Sequence, residues 1–119
     1  MLINLSNIPS SSWDSEHKKV AVNEFENIID IEIPKIDAEL DDLGVKEIAD
    51  PIIEKCVELF NNADLNNAVY LDADPIFTFY VVKSLLERGF RCVASSFDDS
   101  KKNAGQDGFV RFREYRLEY

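Results

Sequence analysis

Residues 68–97 carry the clearest pattern of apolar and polar positions in the chain. The run 68–71 is a short series of strand-forming residues that ends at a polar segment. Apolar residues then occupy nearly every helical face over 76–88, and Gly89 follows as a left-handed cap. The β-forming run 90–94 starts the next strand. The pattern predicts strand, helix, strand.

The start of the central helix has its own signature. Asp74 suits the N-cap position, and Pro75 suits the first helical position, where a missing N–H costs nothing. A strand–helix–strand unit of this length requires a parallel pair with a right-handed crossover. The fold class is therefore predicted to be α/β.

The chain before this unit predicts two more strands and a helix. Residues 2–5 form a short apolar strand, and Ser12 is the expected N-cap of a helix that runs to about Phe25. The buried stripe of that helix begins at Trp13. Residues 28–33 alternate Ile with acidic side chains, which predicts a strand with one wet face near the sheet edge.

The clearest amphipathic helix covers residues 45–60. Pro51 leaves two readings: Asp50 caps a helix beginning at Pro51, or one longer helix is kinked there. The acidic connector 35–44 lacks the spacing, glycine and glutamate of a calcium-binding EF-hand loop, so it is predicted to be solvated.

The C-terminal third predicts a hairpin. Residues 98–108 are expected to form a mobile hairpin loop, and 109–119 a long antiparallel strand. Val110 and Phe112 are expected on one face, with a bulge near 113–114. The elements predict one α/β domain over 1–119, a three-layer Rossmann-like sandwich. Its mostly parallel sheet has the order 2-1-3-4-5 and an antiparallel C-terminal edge strand.

The net charge of the chain limits which classes of molecule it can bind. The net charge is −10; residues 1–89 hold 7 Lys and Arg against 18 Asp and Glu, a balance of −11, whereas residues 90–119 hold 6 against 5. Because duplex nucleic acid is bound mainly through its phosphates, this surface argues against a duplex partner. No stretch approaches the ~20 apolar residues of a membrane span, and no signal peptide is evident, so we expect a cytoplasmic protein without a membrane partner.

The residues that most often bind metals or catalyse reactions are few. Cys56 and Cys92 lie among apolar neighbours and are expected to be buried, and His17 is expected to be a partly packed surface residue. This composition predicts no metal site and no cofactor.

Candidate binding residues lie where the parallel strands end. In an open parallel sheet, ligands bind beyond the carboxyl ends of the strands where the winding reverses. The loop 6–12 and the segment 72–74 meet there, and two helix N-termini add positive potential. A nucleotide-like ligand is expected to place sugar or base against Asp72 and phosphate over the turn 10–12. The predicted ligand-binding residues are Ser6, Asn7, Ser10, Ser11, Ser12, Asp72, Asp74, Thr78, Ser95 and Ser96.

The segment 69–74, with the sequence VYLDAD, resembles the start of haloacid-dehalogenase-type phosphatases. In that family one Asp is the nucleophile and the other the general acid beside Mg²⁺. Here Pro75 replaces the usual glycine and the motif sits on the third strand, so helix capping by Asp74 is the preferred interpretation.

A looser resemblance covers most of the chain as an architecture. It rests on the segments 2–7, 77–89, 91–96 and 109–113. Together they resemble CRISPR-associated Rossmann-fold (CARF) domains, whose small stand-alone members include ring nucleases. The resemblance implies binding of cyclic oligoadenylate and, for an enzyme, metal-independent phosphodiester cleavage; it assigns no catalytic residue here. The cations able to reach such a ligand are Lys101, Lys102, Arg111 and Arg113.

The alternative function is a non-enzymatic interaction module. The helix 76–86 is apolar all round, more than packing on one sheet face requires. That excess, together with the small size of the domain, predicts a homodimer.

Overall fold

The computed structural model describes residues 1–60, 66–102 and 107–117. In chain order the elements are β1 (Leu2–Ser6), α1 (Ser15–Phe25), β2 (Ile28–Asp30), α2 (Asp42–Phe60), β3 (Ala68–Asp72), α3 (Pro75–Glu87), β4 (Arg91–Phe97) and β5 (Phe109–Glu114). Short 3-10 turns lie at Ser10–Ser12 and Asp99–Lys101.

The five strands form one sheet in the order β2-β1-β3-β4-β5. The first four strands are parallel, and β5 pairs antiparallel with β4. In the centre, Leu2 pairs with Ile28 on one side and with Ala68 on the other. The predicted fold class and strand order are confirmed.

The sheet separates two cores of different composition. We call the α2/α3 side the aliphatic face; its buried residues include Ile3, Leu5, Val69, Val81 and Leu85. We call the α1 side the aromatic face; its buried residues are Leu2, Trp13, Ala21, Phe25, Ala68, Tyr70, Val93, Phe109 and Phe112. The central strands alternate between the two, which explains why β1 and most of β3 are fully buried.

Several local predictions hold in the structure. The Asp74 carboxylate accepts hydrogen bonds from the backbone N–H groups of Ile76 and Phe77, and Pro75 opens α3. Gly89 has φ of +86°, as a left-handed cap requires. Of the two readings at Pro51, the structure has one helix that contains this residue.

Two predicted boundaries in the first third were wrong. Asp14, not Ser12, caps α1, because its carboxylate accepts the His17 N–H at 2.8 Å whereas Ser12 lies in the preceding 3-10 turn. Strand β2 ends at Asp30 rather than residue 33. Ile31 and Ile33 are nevertheless buried, because the alternating pattern reports burial and not ladder pairing.

The predicted faces of β5 were also wrong. Phe109 and Phe112, not Val110 and Phe112, share the buried face. Phe109 pairs with Phe97 and Arg111 with Ser96, so the extra residue lies at Val110 rather than at 113–114. The strand ends at Glu114 instead of reaching residue 119; residues 118 and 119 lie outside the described chain.

The connection between β4 and β5 contains the 3-10 turn Asp99–Lys101, which Asp98 caps. The Asp98 N–H donates to the Gly108 carbonyl at 2.9 Å, and Gly108 has φ of +82°. Residues 103–106, part of the predicted mobile loop, lie outside the described chain. No helix in the described ranges is long and apolar enough to cross a membrane.

Candidate functional site

Three adjoining clefts line the edge of the sheet where the parallel strands end. The first, about 470 Å³, lies between the ends of β3 and β4 and the start of α3. We call it the aromatic cleft; its walls include Tyr70, Asp72, Thr78, Phe79, Ser95, Phe97 and Tyr115. Large apolar rings with a few hydroxyls and one carboxylate are typical of small-molecule sites.

The other two clefts continue along the edge past β1 to β2. One, about 390 Å³, is lined by Asn4, Ser6, Asn7, Asp30 and Glu32, among others. The next, about 450 Å³, shares Asn7 and Glu32 and adds Asp74. Each contains two carboxylates, so we call them the acidic clefts, although Lys35 also lines the second.

The polar groups beside β1 are hydrogen-bonded to one another. The Asn4 amide donates to Asp30 Oδ1 and to the Ile8 carbonyl, both at 2.9 Å. Ser6 Oγ donates to Asn4 Oδ1 at 2.8 Å. The Ser10 backbone N–H donates to Asp30 Oδ1 at 3.1 Å, and the Ser10 hydroxyl to Asp30 Oδ2 at 3.1 Å. These hydrogen bonds fix the loop between β1 and α1 against the end of β2.

Both helix N-termini expected to attract a ligand anion already hold a carboxylate of the protein. Asp14 accepts from the backbone of α1, and Asp74 accepts from two N–H groups of α3. The dipoles that would favour a phosphate are therefore largely neutralised from within. A second negative charge at either end would meet an aspartate.

The predicted site residues are distributed among different places. Asp72, Thr78 and Ser95 line the aromatic cleft. Ser6, Asn7 and Asp74 line the acidic clefts. Ser10, Ser11 and Ser12 make up the 3-10 turn, none of them is buried, and none lines these three clefts. Ser96 pairs with Arg111 of the edge strand and likewise lines none of them.

The central polar group of the aromatic face is one that the sequence did not reveal. His17, predicted to be a partly packed surface residue, is only 2% exposed. Its ring stacks on Trp13 at 4.0 Å between centroids and 3° between planes, and on Phe109 at 4.2 Å and 12°. The prediction of a surface position was wrong because Phe109 of β5 covers the second face of the ring, a contact that the sequence of α1 does not show.

The His17 ring touches the aromatic cleft through Ser95. Its Nε2 lies 3.2 Å from Ser95 Oγ. Burial raises the pKa of Tyr70, an effect that the nearby Ser95 side chain partly offsets. Burial lowers the pKa of His17 to about 4, an effect that the nearby Asp14 carboxylate partly offsets. The imidazole is therefore neutral at pH 7.

The far side of the His17 ring faces a pair of carboxylates. Among the described residues Nδ1 is buried without a hydrogen-bond partner, and Asp107 Oδ2 lies 3.9 Å from it. The Asp107 N–H donates to Asp14 Oδ2 at 3.0 Å. Burial raises the pKa of Asp107, aided by its neighbour Asp14. In Asp14, the backbone N–H groups outweigh burial and lower the pKa.

Ser95, His17 and Asp107 stand in the order of a serine-hydrolase triad, but their geometry differs from one. At 3.9 Å the Asp107 oxygen is beyond hydrogen-bond reach of Nδ1. A histidine with a pKa of about 4 is a weak base at neutral pH. This arrangement can orient the Ser95 hydroxyl, but it does not activate that hydroxyl as a nucleophile.

Other chemistry is sparse in the described ranges. No group of three or more His, Cys, Asp or Glu side chains there is placed to hold a metal ion. Cys56 and Cys92 are buried as predicted, and burial raises the pKa of each thiol to about 12. Neither thiol is a nucleophile at neutral pH.

Comparison with known proteins adds no further assignment: no protein family, curated protein or solved structure matches this chain. The site's own geometry therefore carries the functional argument.

Proposed function

We propose that the protein binds a nucleotide-like ligand in the aromatic cleft, with the base inside the cleft and the phosphate outside it. The observation that carries this proposal is the combination of exposed rings with hydrogen-bonding groups in one cleft. Phe79 is 60% exposed and Phe97 48% exposed, so both present ring surface there. Aromatic surface of this kind suits a planar base.

The sugar is expected to lie against Asp72. This residue is exposed at the end of β3, and a carboxylate accepts hydrogen bonds from ribose hydroxyls. Thr78 also lines the cleft, and its Oγ1 is buried in the wall without a partner within the described chain.

The phosphate is expected on the solvent side of the cleft. Ser10 is already bound to Asp30, so a phosphate over the turn 10–12 would approach that carboxylate. Lys101 and Lys102, just beyond β4, are the cations closest in sequence to the cleft rim at Phe97. A cyclic oligoadenylate, the ligand that the CARF resemblance implies, would bind through one base and leave its phosphate ring outside.

Cleavage of such a ligand is the catalytic form of this proposal. Among the described side chains that line the cleft, Asp72 is the one carboxylate able to accept a proton from a ribose hydroxyl, since His17 is buried and weakly basic. Cleavage without metal would then rest on attack by the ligand's own 2′-hydroxyl. We therefore propose binding as the primary function.

Calorimetric titration with adenosine, AMP and cyclic tetra-adenylate tests the binding proposal. We expect adenosine to bind at least as tightly as AMP, because the described lining of the cleft offers an aromatic surface and a carboxylate but no Lys or Arg. Phe79→Ala should weaken adenosine binding by roughly 5- to 150-fold, the range of a lost base–ring stack.

Leu43→Ala is the matched control, since Leu43 is an exposed apolar residue of α2 that does not line the cleft. It should leave binding unchanged. If none of the three ligands binds more tightly than about 100 μM, the proposal fails.

The second candidate function is that of a non-enzymatic interaction module that forms a homodimer. Ile76 is 48% exposed beside Phe79 on α3, and these two side chains give the helix an apolar outer surface. A second copy is the proposed occupant, which Ile76→Glu should exclude. Light scattering over a hundredfold dilution tests it: a wild-type mass near 14 kDa throughout rules out the dimer, and a wild-type dimer that Ile76→Glu converts to monomer supports it.

A further inference from the structure

We infer that His17 determines the specificity of the aromatic cleft: by fixing the Ser95 hydroxyl as a hydrogen-bond acceptor, it selects ligands that present an N–H or O–H group at that point. This inference rests on the proposed binding function. His17 itself is a positioning residue, because it acts on the ligand only through Ser95.

The first step is the orientation of the His17 ring. Trp13 and Phe109 stack on its two faces at 4.0 and 4.2 Å, nearly parallel to it. A ring held between two others in a buried site cannot rotate freely. Nε2 therefore points to Ser95, and Nδ1 points to the side of Asp14 and Asp107.

The second step is the position of the imidazole proton. The neutral ring carries one N–H, either on Nδ1 or on Nε2. The Nδ1 side faces Asp107 Oδ2 at 3.9 Å and interacts with the Asp14 charge, and negative charge favours an N–H dipole directed toward it. The proton is thus assigned to Nδ1, and Nε2 is left as an acceptor.

The third step concerns Ser95. With Nε2 unprotonated, the 3.2 Å contact requires the Ser95 hydroxyl to donate its only hydrogen to His17. Its lone pairs are then left for other donors, and Ser95 lines the aromatic cleft, where a ligand can reach it. Ser95 can accept from a ligand but cannot donate to it.

The consequence is a pattern of acceptors in the cleft. Ser95 and Asp72 both accept, whereas the Thr78 hydroxyl oxygen is buried in the wall of the cleft. A phosphate oxygen placed against Ser95 would be repelled, because both it and the Ser95 oxygen would present lone pairs and no hydrogen. The cleft thus takes the donor-rich part of a nucleoside, an exocyclic amine or a sugar hydroxyl, and rejects its phosphate.

The tautomer can be measured without any ligand. In protein labelled with ¹⁵N in histidine, the single His17 ring gives correlations that distinguish a protonated Nδ1 from a protonated Nε2. We expect Nδ1 protonated at pH 7, and Ser95→Ala should shift the Nε2 signal. A protonated Nε2 would overturn the inference, because Ser95 would then be the acceptor for His17 and a donor to the ligand.

Ligand selectivity provides the second readout. Adenosine is compared with purine riboside, which lacks the amine, and with 2′,3′-dideoxyadenosine, which lacks the sugar donors. His17→Phe keeps the ring stack but loses the contact to Ser95. It should weaken adenosine binding about three- to tenfold, and should leave unchanged the binding of the analogue that lacks the donor facing Ser95.

An equal effect of His17→Phe on all three ligands would indicate a merely structural role and overturn the inference. Ser95→Ala removes the acceptor itself and should change the selectivity in the same direction as His17→Phe and by at least as much, which covers the case in which the His17 variant does not fold. Ser96→Ala is the matched control and should change nothing. If wild-type protein binds none of the three, the proposed function and the specificity role of His17 fail together, whereas the tautomer measurement still decides how His17 orients the Ser95 hydroxyl.

Discussion

The two faces of the sheet are built on different principles. The aliphatic face packs α2 and α3 on the strands through regularly spaced branched side chains. The aromatic face packs α1 and β5 through rings that surround one buried histidine. The first therefore depends on apolar volume, and the second also depends on a polar group whose protonation and contacts must be correct.

The largest expected effect lies on the aliphatic face. Phe77 of α3 is fully buried, so Phe77→Ala leaves a cavity that its neighbours fill only in part. We expect a loss of about 3–5 kcal/mol in the free energy of unfolding. Urea denaturation at pH 7 measures it. The loss should not depend on pH below 7, since the titratable groups in this part of the core, the thiols of Cys56 and Cys92, have pKa values raised by burial to about 12 and stay protonated. A loss below 1 kcal/mol would show that the face is loosely packed.

The aromatic face should instead respond to pH. Burial lowers the pKa of His17 from 6.5 to about 4, so the unfolded chain takes up a proton at a higher pH than the folded one. The free energy of unfolding therefore falls as the pH drops from about 7 toward 4, by up to about 3 kcal/mol from this group. Urea denaturation at several pH values measures the slope.

His17→Phe is the control for that slope, since it retains a ring between Trp13 and Phe109. It should be less sensitive to pH over the same range and more stable than wild type near pH 5. Asp14 and Asp107 have pKa shifts of opposite direction, so their contributions oppose each other and remain in both proteins. Identical slopes in the two proteins would contradict a buried neutral histidine.

The smallest expected difference is between the two helix caps. Asp74→Ala removes the cap of α3 and should cost about 1 kcal/mol. Asp14→Ala removes the cap of α1 and also the acceptor for the Asp107 N–H, so it should cost about 1–2 kcal/mol. Thermal or urea unfolding of the two variants side by side decides the order. Equal costs would mean that the Asp107 contact adds nothing.

The same contrast explains what the sequence could predict. Strand order, the α3 cap and the α2 stripe follow from local patterns, because periodicity reports which side of an element is buried. The bulge at Val110 and the burial of His17 depend on how β5 meets α1 across the chain. No local pattern records that meeting. A histidine on the Trp13 side of α1 was the available signal.

The site was predictable to a similar extent. The sheet edge was the expected location, and Asp72, Thr78 and Ser95 do line one cleft there. The serines of the turn 10–12 were assigned by residue type alone. Residue type does not show that the Ser10 N–H and hydroxyl already donate hydrogen bonds to Asp30. Likewise, the sequence before α1 and α3 does not show whether an aspartate already accepts from the first N–H groups of the helix or leaves them open to a ligand.

Chemical-shift mapping tests the binding claim most directly. Backbone ¹H–¹⁵N spectra of the full chain would be recorded during titration with adenosine. We predict that the largest shifts occur at Asp72, Thr78, Ser95 and Phe97, around the aromatic cleft, with small shifts along residues 6–12. Shifts concentrated at Ser10–Ser12, or absent throughout the spectrum at saturating adenosine, would contradict the assignment of the ligand to this cleft.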